Sequence, residues 1–144
     1  MKILIVTDAY YPQVNGVVRT LHQTGEILKS QGHIIEYLTP QQFFTVPMPK
    51  YNEIRLSINV WPRVSNLINS INPDAIHIAT EGPIGFMARR HCIKKDLKFT
   101  TSFHTRFDKY MKLYMPIIPA KWSEKFLCNF HNKAKKILIT TESM

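Results

Sequence analysis

Short apolar runs alternate with helical stripes almost from end to end of this chain, and that alternation predicts its elements. Lys2–Thr7 reads Lys-Ile-Leu-Ile-Val-Thr, the pattern of a buried strand. The loop Asp8–Val14 leads to Asn15-Gly16. After it, Val17, Val18, Leu21, Ile27 and Leu28 form the apolar stripe of a helix stopped by Gln31-Gly32. His33–Leu38 predicts a second strand. Thr39–Lys50, carrying Pro40, Pro47 and Pro49, predicts a long irregular loop. Glu53–Ile58 alternates as a short strand does, and Pro62 opens a helix that turns Val64, Leu67, Ile68 and Ile71 inward. Asn72-Pro73-Asp74 ends it, and Ala75–Ala79 is the strongest buried-strand pattern in the chain. Thr80–Pro83 turns into a helix running to about Lys95, with Ile84, Met87, Ala88 and Ile93 on its packed side. Lys98–Phe103 predicts the next strand, Phe107–Tyr114 and Pro119–Ala134 two helical stretches, and Lys136–Thr140 a last core strand.

Strands separated by helices predict an α/β, Rossmann-like domain whose mostly parallel sheet is covered by helices on both faces. In such sheets ligands bind beyond the C-terminal strand ends, where chain order reverses. Thr7-Asp8, Thr80-Glu81, Ser102–His104 and Thr140–Ser143 all follow strands and belong to that edge. The 144 residues suffice for one domain, spanning 1–144, with a real core. At the far end, Glu142-Ser143-Met144 reads as the entrance of a further helix with Ser143 as N-cap, which predicts that the domain is interrupted there.

Composition narrows the picture. The chain is 44% apolar and 20% charged, as in a globular protein, and contains no run of roughly 18 uncharged apolar residues that could span a bilayer. Its opening strand is too short for a secretory apolar region. Cys92 and Cys128 match no metal or redox spacing and predict reduced, partly buried thiols in a cytoplasmic protein. Nineteen Lys and Arg against ten Asp and Glu give a net charge of +9, which suits anionic partners. Lys109, Lys112, Lys121 and Lys125 interleave with Tyr110, Tyr114, Trp122 and Phe126. That pattern fits either a face resting on an anionic membrane or a solvated face with its aromatic residues turned inward.

A strand, a loop and a glycine at a helix entrance make a seat for phosphate. Free first-turn amides point outward, the helix dipole favours negative charge, and the missing Cβ at Gly16 permits close approach. His104, just past a strand end on the same edge, has the chemistry to donate to a sugar hydroxyl or phosphate, or to exchange a proton near neutral pH. Glu81 either serves a ligand or caps the helix after Gly82-Pro83, and Asp8 binds loop amides. Tyr10 and Tyr11 either pack the loop or offer flat faces to a ring. His22, His91 and His131 fall in helical stretches as surface or satisfied structural residues; His77, mid-strand, predicts a hydrogen-bonded core role. No Gly-x-Gly-x-x-Gly, Gly-Lys-Ser/Thr, Asp-x-Asp or paired-His spacing occurs, so no metal and no cofactor is expected.

Asp8-Ala9-Tyr10-Tyr11-Pro12-Gln13-Val14-Asn15-Gly16-Val17, then Thr80-Glu81-Gly82-Pro83-Ile84-Gly85, then Ser102-Phe103-His104-Thr105 resemble the N-terminal half of a family-four retaining glycosyltransferase of the GT-B type. The nearest subgroup is that of GDP-mannose-dependent α-mannosyltransferases and sulfoquinovosyltransferase-like lipid enzymes. The resemblance implies two Rossmann-like domains facing across a cleft, with this chain as the first and acceptor-side half. It implies a nucleotide-sugar donor, GDP- or UDP-linked, a lipid or sugar acceptor, metal-independent transfer of a hexosyl group, and a location at the inner face of the membrane. By the same resemblance Asn15 and Gly16 approach the donor diphosphate, His104 is catalytic beside the donor sugar, and Tyr10, Tyr11, Glu81 and Thr105 contact substrate. Where many relatives carry Gly-Gly, this chain has Asn15-Gly16. The nucleotide-base site and the Glu-x7-Glu element of the family belong to the other domain, so the isolated chain is expected to be inactive. Two other readings stand beside this one: a basic, non-enzymatic module for nucleic acid or anionic lipid, though no nucleic-acid motif occurs, and the remnant of a split gene.

Overall fold

The computed structural model of the chain describes residues 1–49, 51–104 and 117–139. In chain order the elements are β1 (Lys2–Val6), α1 (Gly16–Ser30), β2 (Ile34–Leu38), a 3-10 turn (Pro40–Gln42), β3 (Thr45–Met48), β4 (Tyr51–Ser57), α2 (Arg63–Ile71), β5 (Ala75–Ile78), α3 (Pro83–Lys94), β6 (Phe99–Phe103), α4 (Ala120–His131) and β7 (Lys136–Ile139). Five of the strands form one parallel sheet in the order β2-β1-β5-β6-β7. The chain therefore has the α/β, Rossmann-like architecture that its periodicity predicts.

The period of two along each strand divides the core between the two faces. Leu4, Val6, Ile76, Ile78 and Phe99 pack with Val64 and Ile68 of α2, Ile84, Ala88 and Cys92 of α3, and Phe130 of α4. Ile5 and Ala79 face the other way, towards Leu21 of α1, with Val17, Ile35 and Tyr37 around them. Both faces of the central strands are thus dry, which is why their sequences read as unbroken apolar runs.

Four expectations change. Thr39–Lys50 is not an irregular loop over the part described. Thr39 caps the 3-10 turn through a capping box with Gln42, and β3 pairs antiparallel with β4 as a separate two-stranded sheet. Pro47 is tolerated there because β3 has a neighbour on one side only, so its missing N–H costs no second ladder bond. Lys136–Ile139 is a strand, but an exposed edge strand paired only with β6 and not a core strand. Ile27 and Ile93 are exposed; the buried positions of their helices are Val18, Leu21 and Gly25 on α1 and Ile84, Gly85, Ala88, His91 and Cys92 on α3. Gly25 is needed because a Cβ at that site meets the Tyr37 hydroxyl. Both cysteines are free, Cys92 buried with its thiol pushed up to about 12 and Cys128 exposed, not partly buried. The predicted helix at Phe107–Tyr114, and Thr105, Arg106, Thr140, Glu142, Ser143 and Met144, lie outside the described residues.

The packing yields a direct contrast between two isoleucines. Ile68 is 1% exposed in the α2–sheet interface, whereas Ile27 is 51% exposed on α1. Ile68→Ala is expected to lower the urea-unfolding free energy by about 2–5 kcal/mol, and Ile27→Ala to change it by about 0.5 kcal/mol or less. Equal losses in the two variants would contradict this core.

Candidate functional site

The next element after β1 in the sheet lies on one side of it and β5 on the other, so the loops leaving β1 and β5 run apart and open a crevice at the C-terminal edge. Asp8 fills the floor of that crevice. Its carboxylate accepts from the Ile84 amide at 2.7 Å, the Gly85 amide at 3.1 Å and the Thr80 hydroxyl at 2.8 Å. In return the Asp8 amide donates to Thr80 Oγ1 at 2.6 Å. A carboxylate from β1 thus caps the N-terminus of α3, whose own N-cap Gly82 offers no side chain. A Cβ on Gly82 would run into the Asp8 carboxyl group, and one on Gly85 into the Thr80 carbonyl. Burial pushes the Asp8 carboxyl above its ordinary value, against the pull of the bonds from Ile84, Thr80, Gly85 and Gly82. Asp8 does bind backbone amides, but those of the first turn of α3 and not those of a loop; the alternative that Glu81 caps this helix does not hold.

The N-terminus of α1 is left differently. Asn15 is its N-cap, with Oδ1 accepting from the Val18 amide at 3.0 Å. Neither the Gly16 nor the Val17 amide has a partner among the described residues, and a Cβ on Gly16 would meet nothing within 4 Å. Of the two helix starts at this edge, one is occupied by the chain's own carboxylate and the other is open.

Between the loop and the β3–β4 hairpin lies a cavity of about 760 Å³, lined by Asp8, Tyr10, Tyr11 and Asn15 on the loop side and by Thr45 and Arg55 among others on the hairpin side. Tyr10 packs the loop, its ring lying 5.2 Å from that of Tyr37 and 5.3 Å from that of Tyr11, and it also lines the cavity. Tyr11 meets His22 edge-on at 6.0 Å, and Gln41 holds its carbonyl at 3.2 Å. Arg55 is the cation of this wall, braced by bonds of 2.7 and 2.9 Å to Thr45. Glu53–Ile58 predicts most of β4, but its partner β3 lies in the stretch whose prolines predict a loop, so the hairpin that forms this wall is not predicted. Gly16, Glu81 and His104 do not line this cavity.

His104 follows β6, two strands from β1 and roughly 10 Å away at ordinary strand spacing. The loop ending at Gly16 and His104 therefore share one sheet edge. Alternation along β6 sends its polar side chains into two separate networks. On one face His104, Ser102, His77 and Thr100 are joined. On the other, Thr101 Oγ1 lies 2.8 Å from His131 Nδ1, and His131 Nε2 lies 3.0 Å from Glu81 Oε1, the two side chains being 8% and 9% exposed. Glu81 thus spends one oxygen on a buried histidine. His131 and His77 are satisfied structural residues, as their positions suggest; His91 is not, since its buried Nε2 has no partner. Thr105 lies outside the described residues.

Burial lowers the pKa of His77 to about 4, with His104 adding to the effect; burial also lowers His104, which Glu81 opposes, and His91, beside Lys95 and Lys94. Each ring favours its neutral form in the fold. The stability each contributes is therefore complete above the unfolded value of about 6.5 and is lost as pH falls through the window below it. Urea unfolding of the wild type is expected to show a clear loss between pH 7.5 and pH 5, and His77→Gln a shallower one. Parallel pH profiles for the two would overturn the assignment to His77.

Residues 14–144 match the family model of Glycosyltransferase Family 4. A GDP-mannose-dependent alpha-mannosyltransferase of Corynebacterium glutamicum is 22% identical over 96% of this chain and 37% of its own length. An alpha-monoglucosyldiacylglycerol synthase of Streptococcus pneumoniae is 24% identical over 77% of this chain and 28% of its own. The chain spans about a third of the length of these relatives. With a Rossmann-like sheet, an open helix start and a histidine on one edge, and a family match over nearly its whole length, the chain belongs to glycosyltransferase family 4.

Proposed function

We propose that this chain is the N-terminal, acceptor-side domain of a two-domain GT-B enzyme that moves a hexosyl group from a nucleotide-sugar to a lipid or sugar acceptor. Transfer is metal-independent and retains the anomeric configuration, and the donor sugar is mannose, carried on GDP. The observation that carries this reading is the asymmetry of the crevice: α3 is capped by Asp8, while the first amides of α1 stay free. One relative is named for GDP-mannose and the other for a glycolipid product, which supports the two substrate classes.

Each residue then has a task. Glycosyl transfer requires charge on the departing diphosphate to be stabilised by donors already in place. Asn15 orders the first turn of α1, and Gly16 lets a phosphate reach the free amides and the positive end of the helix dipole. His104 meets the donor sugar beside the acceptor, Glu81 and Thr105 contact substrate, and the cavity behind Tyr10 and Tyr11 receives the acceptor. The site for the nucleotide base and the cations that neutralise the leaving group come from the facing domain, so this polypeptide alone turns over no substrate. Titration of the purified chain with GDP or UDP is expected to move the Gly16 and Val17 amide resonances first. Gly16→Val should fold normally and bind at least about tenfold more weakly. Shifts confined to other loops, or robust transfer by this chain alone, would refute the reading.

The same proposal places the domain against an anionic membrane in the cytoplasm. No helix among the described residues is long and apolar enough to cross a bilayer. Ile117 is 93% and Trp122 71% exposed, and on α4 Trp122 and Phe126 run beside Lys121 and Lys125. Apolar and cationic stripes side by side suit an interfacial position. Co-sedimentation with vesicles of anionic phospholipid is expected, and is expected to drop in Lys121→Glu/Lys125→Glu and in Trp122→Ser. Binding that ignores all three changes would exclude this face.

A further inference from the structure

Four polar side chains on one face of β5 and β6 form an unbroken hydrogen-bonded chain. Thr100 Oγ1 lies 2.8 Å from His77 Nδ1, His77 Nε2 lies 3.1 Å from Ser102 Oγ, and Ser102 Oγ lies 2.7 Å from His104 Nε2. A hydroxyl has one proton and a neutral imidazole has one, so every contact needs a donor on one side and a lone pair on the other. Hydroxyl donors make the shorter bonds, about 2.7–2.8 Å, and N–H donors the longer ones, about 2.9–3.1 Å.

The three lengths fit one direction best, with Thr100 donating to Nδ1 of His77, His77 from Nε2 to Ser102, and Ser102 to Nε2 of His104. That last bond uses the Nε2 lone pair of His104 and leaves the ring proton on Nδ1, an atom with no partner among the described residues. Reversing the chain would put its shortest contact on a ring N–H and its longest on a hydroxyl. Letting both rings donate to Ser102 would force the hydroxyl onto the Ala79 carbonyl, 3.4 Å away.

We propose that Ser102, oriented by His77, is a positioning residue that locks His104 in the Nδ1–H form, so that its outer nitrogen offers a donor and not a base to the oxygens of a ligand. The ligand half of this statement rests on the reading that His104 meets substrate; the tautomer does not. Ser102 is buried and does not line the cavity beside Tyr10 and Tyr11, so it acts through the ring it holds. The lock also resists protonation, because a proton on Nε2 must displace the Ser102 hydroxyl towards Ala79. His77, a member of the chain, and Glu81, in the network on the other face of β6, are the titratable groups whose charge acts on this pair.

Imidazole nitrogen-15 spectra of the purified chain test the lock. In the wild type, His104 is expected to show a protonated Nδ1 and a bare Nε2, and His77 the opposite. Ser102→Ala is expected to abolish the Nδ1–H preference of His104 and raise its pKa, while Ser102→Thr, which keeps the hydroxyl, restores both. A wild-type His104 carrying its proton on Nε2 overturns the proposal without any variant, and so does an unchanged His104 tautomer in folded Ser102→Ala. Titration with GDP-mannose separates the two halves: His104 resonances that stay unmoved overturn the role towards ligand, whatever the tautomer, and movement of the Nδ1–H signal upholds it.

Discussion

The placement of the Asp8 carboxylate at the start of α3 sets the form of the whole C-terminal edge. It ties the end of β1 to the turn after β5, the two strands between which the chain order reverses. A helix N-terminus left bare inside a crevice strands amide donors without water, and a carboxylate from a neighbouring strand satisfies several of them at once. The arrangement demands two glycines, since side chains at 82 and 85 would collide with the carboxyl and with the Thr80 carbonyl. It also removes one of two anion seats. What stays open is the start of α1, where Asn15 completes the cap and the space beside Gly16 is clear.

Polar side chains on the strands next to this crevice are divided by the pleat. Thr101 and His131 meet Glu81 on the α4 side, while Thr100, His77, Ser102 and His104 link on the opposite face. The two histidine networks thus share no hydrogen bond among the described residues, and Glu81 acts on His104 through its charge. Such fully joined buried chains hold their members in single orientations, because any rotation leaves a donor or acceptor stranded.

The central strands and the helices over them were legible because both faces are dry and the periodicity is undiluted. Leu4, Val6, Ile76 and Ile78 are buried where the pattern puts them. Misreadings arose where local chemistry and tertiary place disagree. Pro47 marks an irregular segment in isolation, yet an edge position in a hairpin excuses its missing donor. Ile137, Leu138 and Ile139 have core composition and lie exposed at the sheet edge. Ile27 and Ile93 sit on helical faces that no described element covers, and Gly25, which has no side chain, takes the buried place beside Tyr37. At the site, the positions of Gly16 and His104 on one edge followed from strand order. The partnership of His77 with Ser102 needed the register of β5 against β6, in which His77 stands opposite Thr100, and no spacing within one strand reveals that. The wall contributed by Arg55 was hidden for the same reason.

That wall has a different bearing on the rest of the molecule. The β3–β4 hairpin pairs only with itself, outside the ladder of the five-stranded sheet. Insertions, deletions or exchanged side chains in it would leave the parallel framework and the Asp8 clasp untouched. A lineage could therefore change which side chains stand beside Tyr10 and Tyr11 by remodelling this separate hairpin, while the Asp8 clasp and the joined histidines stay under strict geometric constraint. Modularity of this kind lets one scaffold diversify its clientele without refolding.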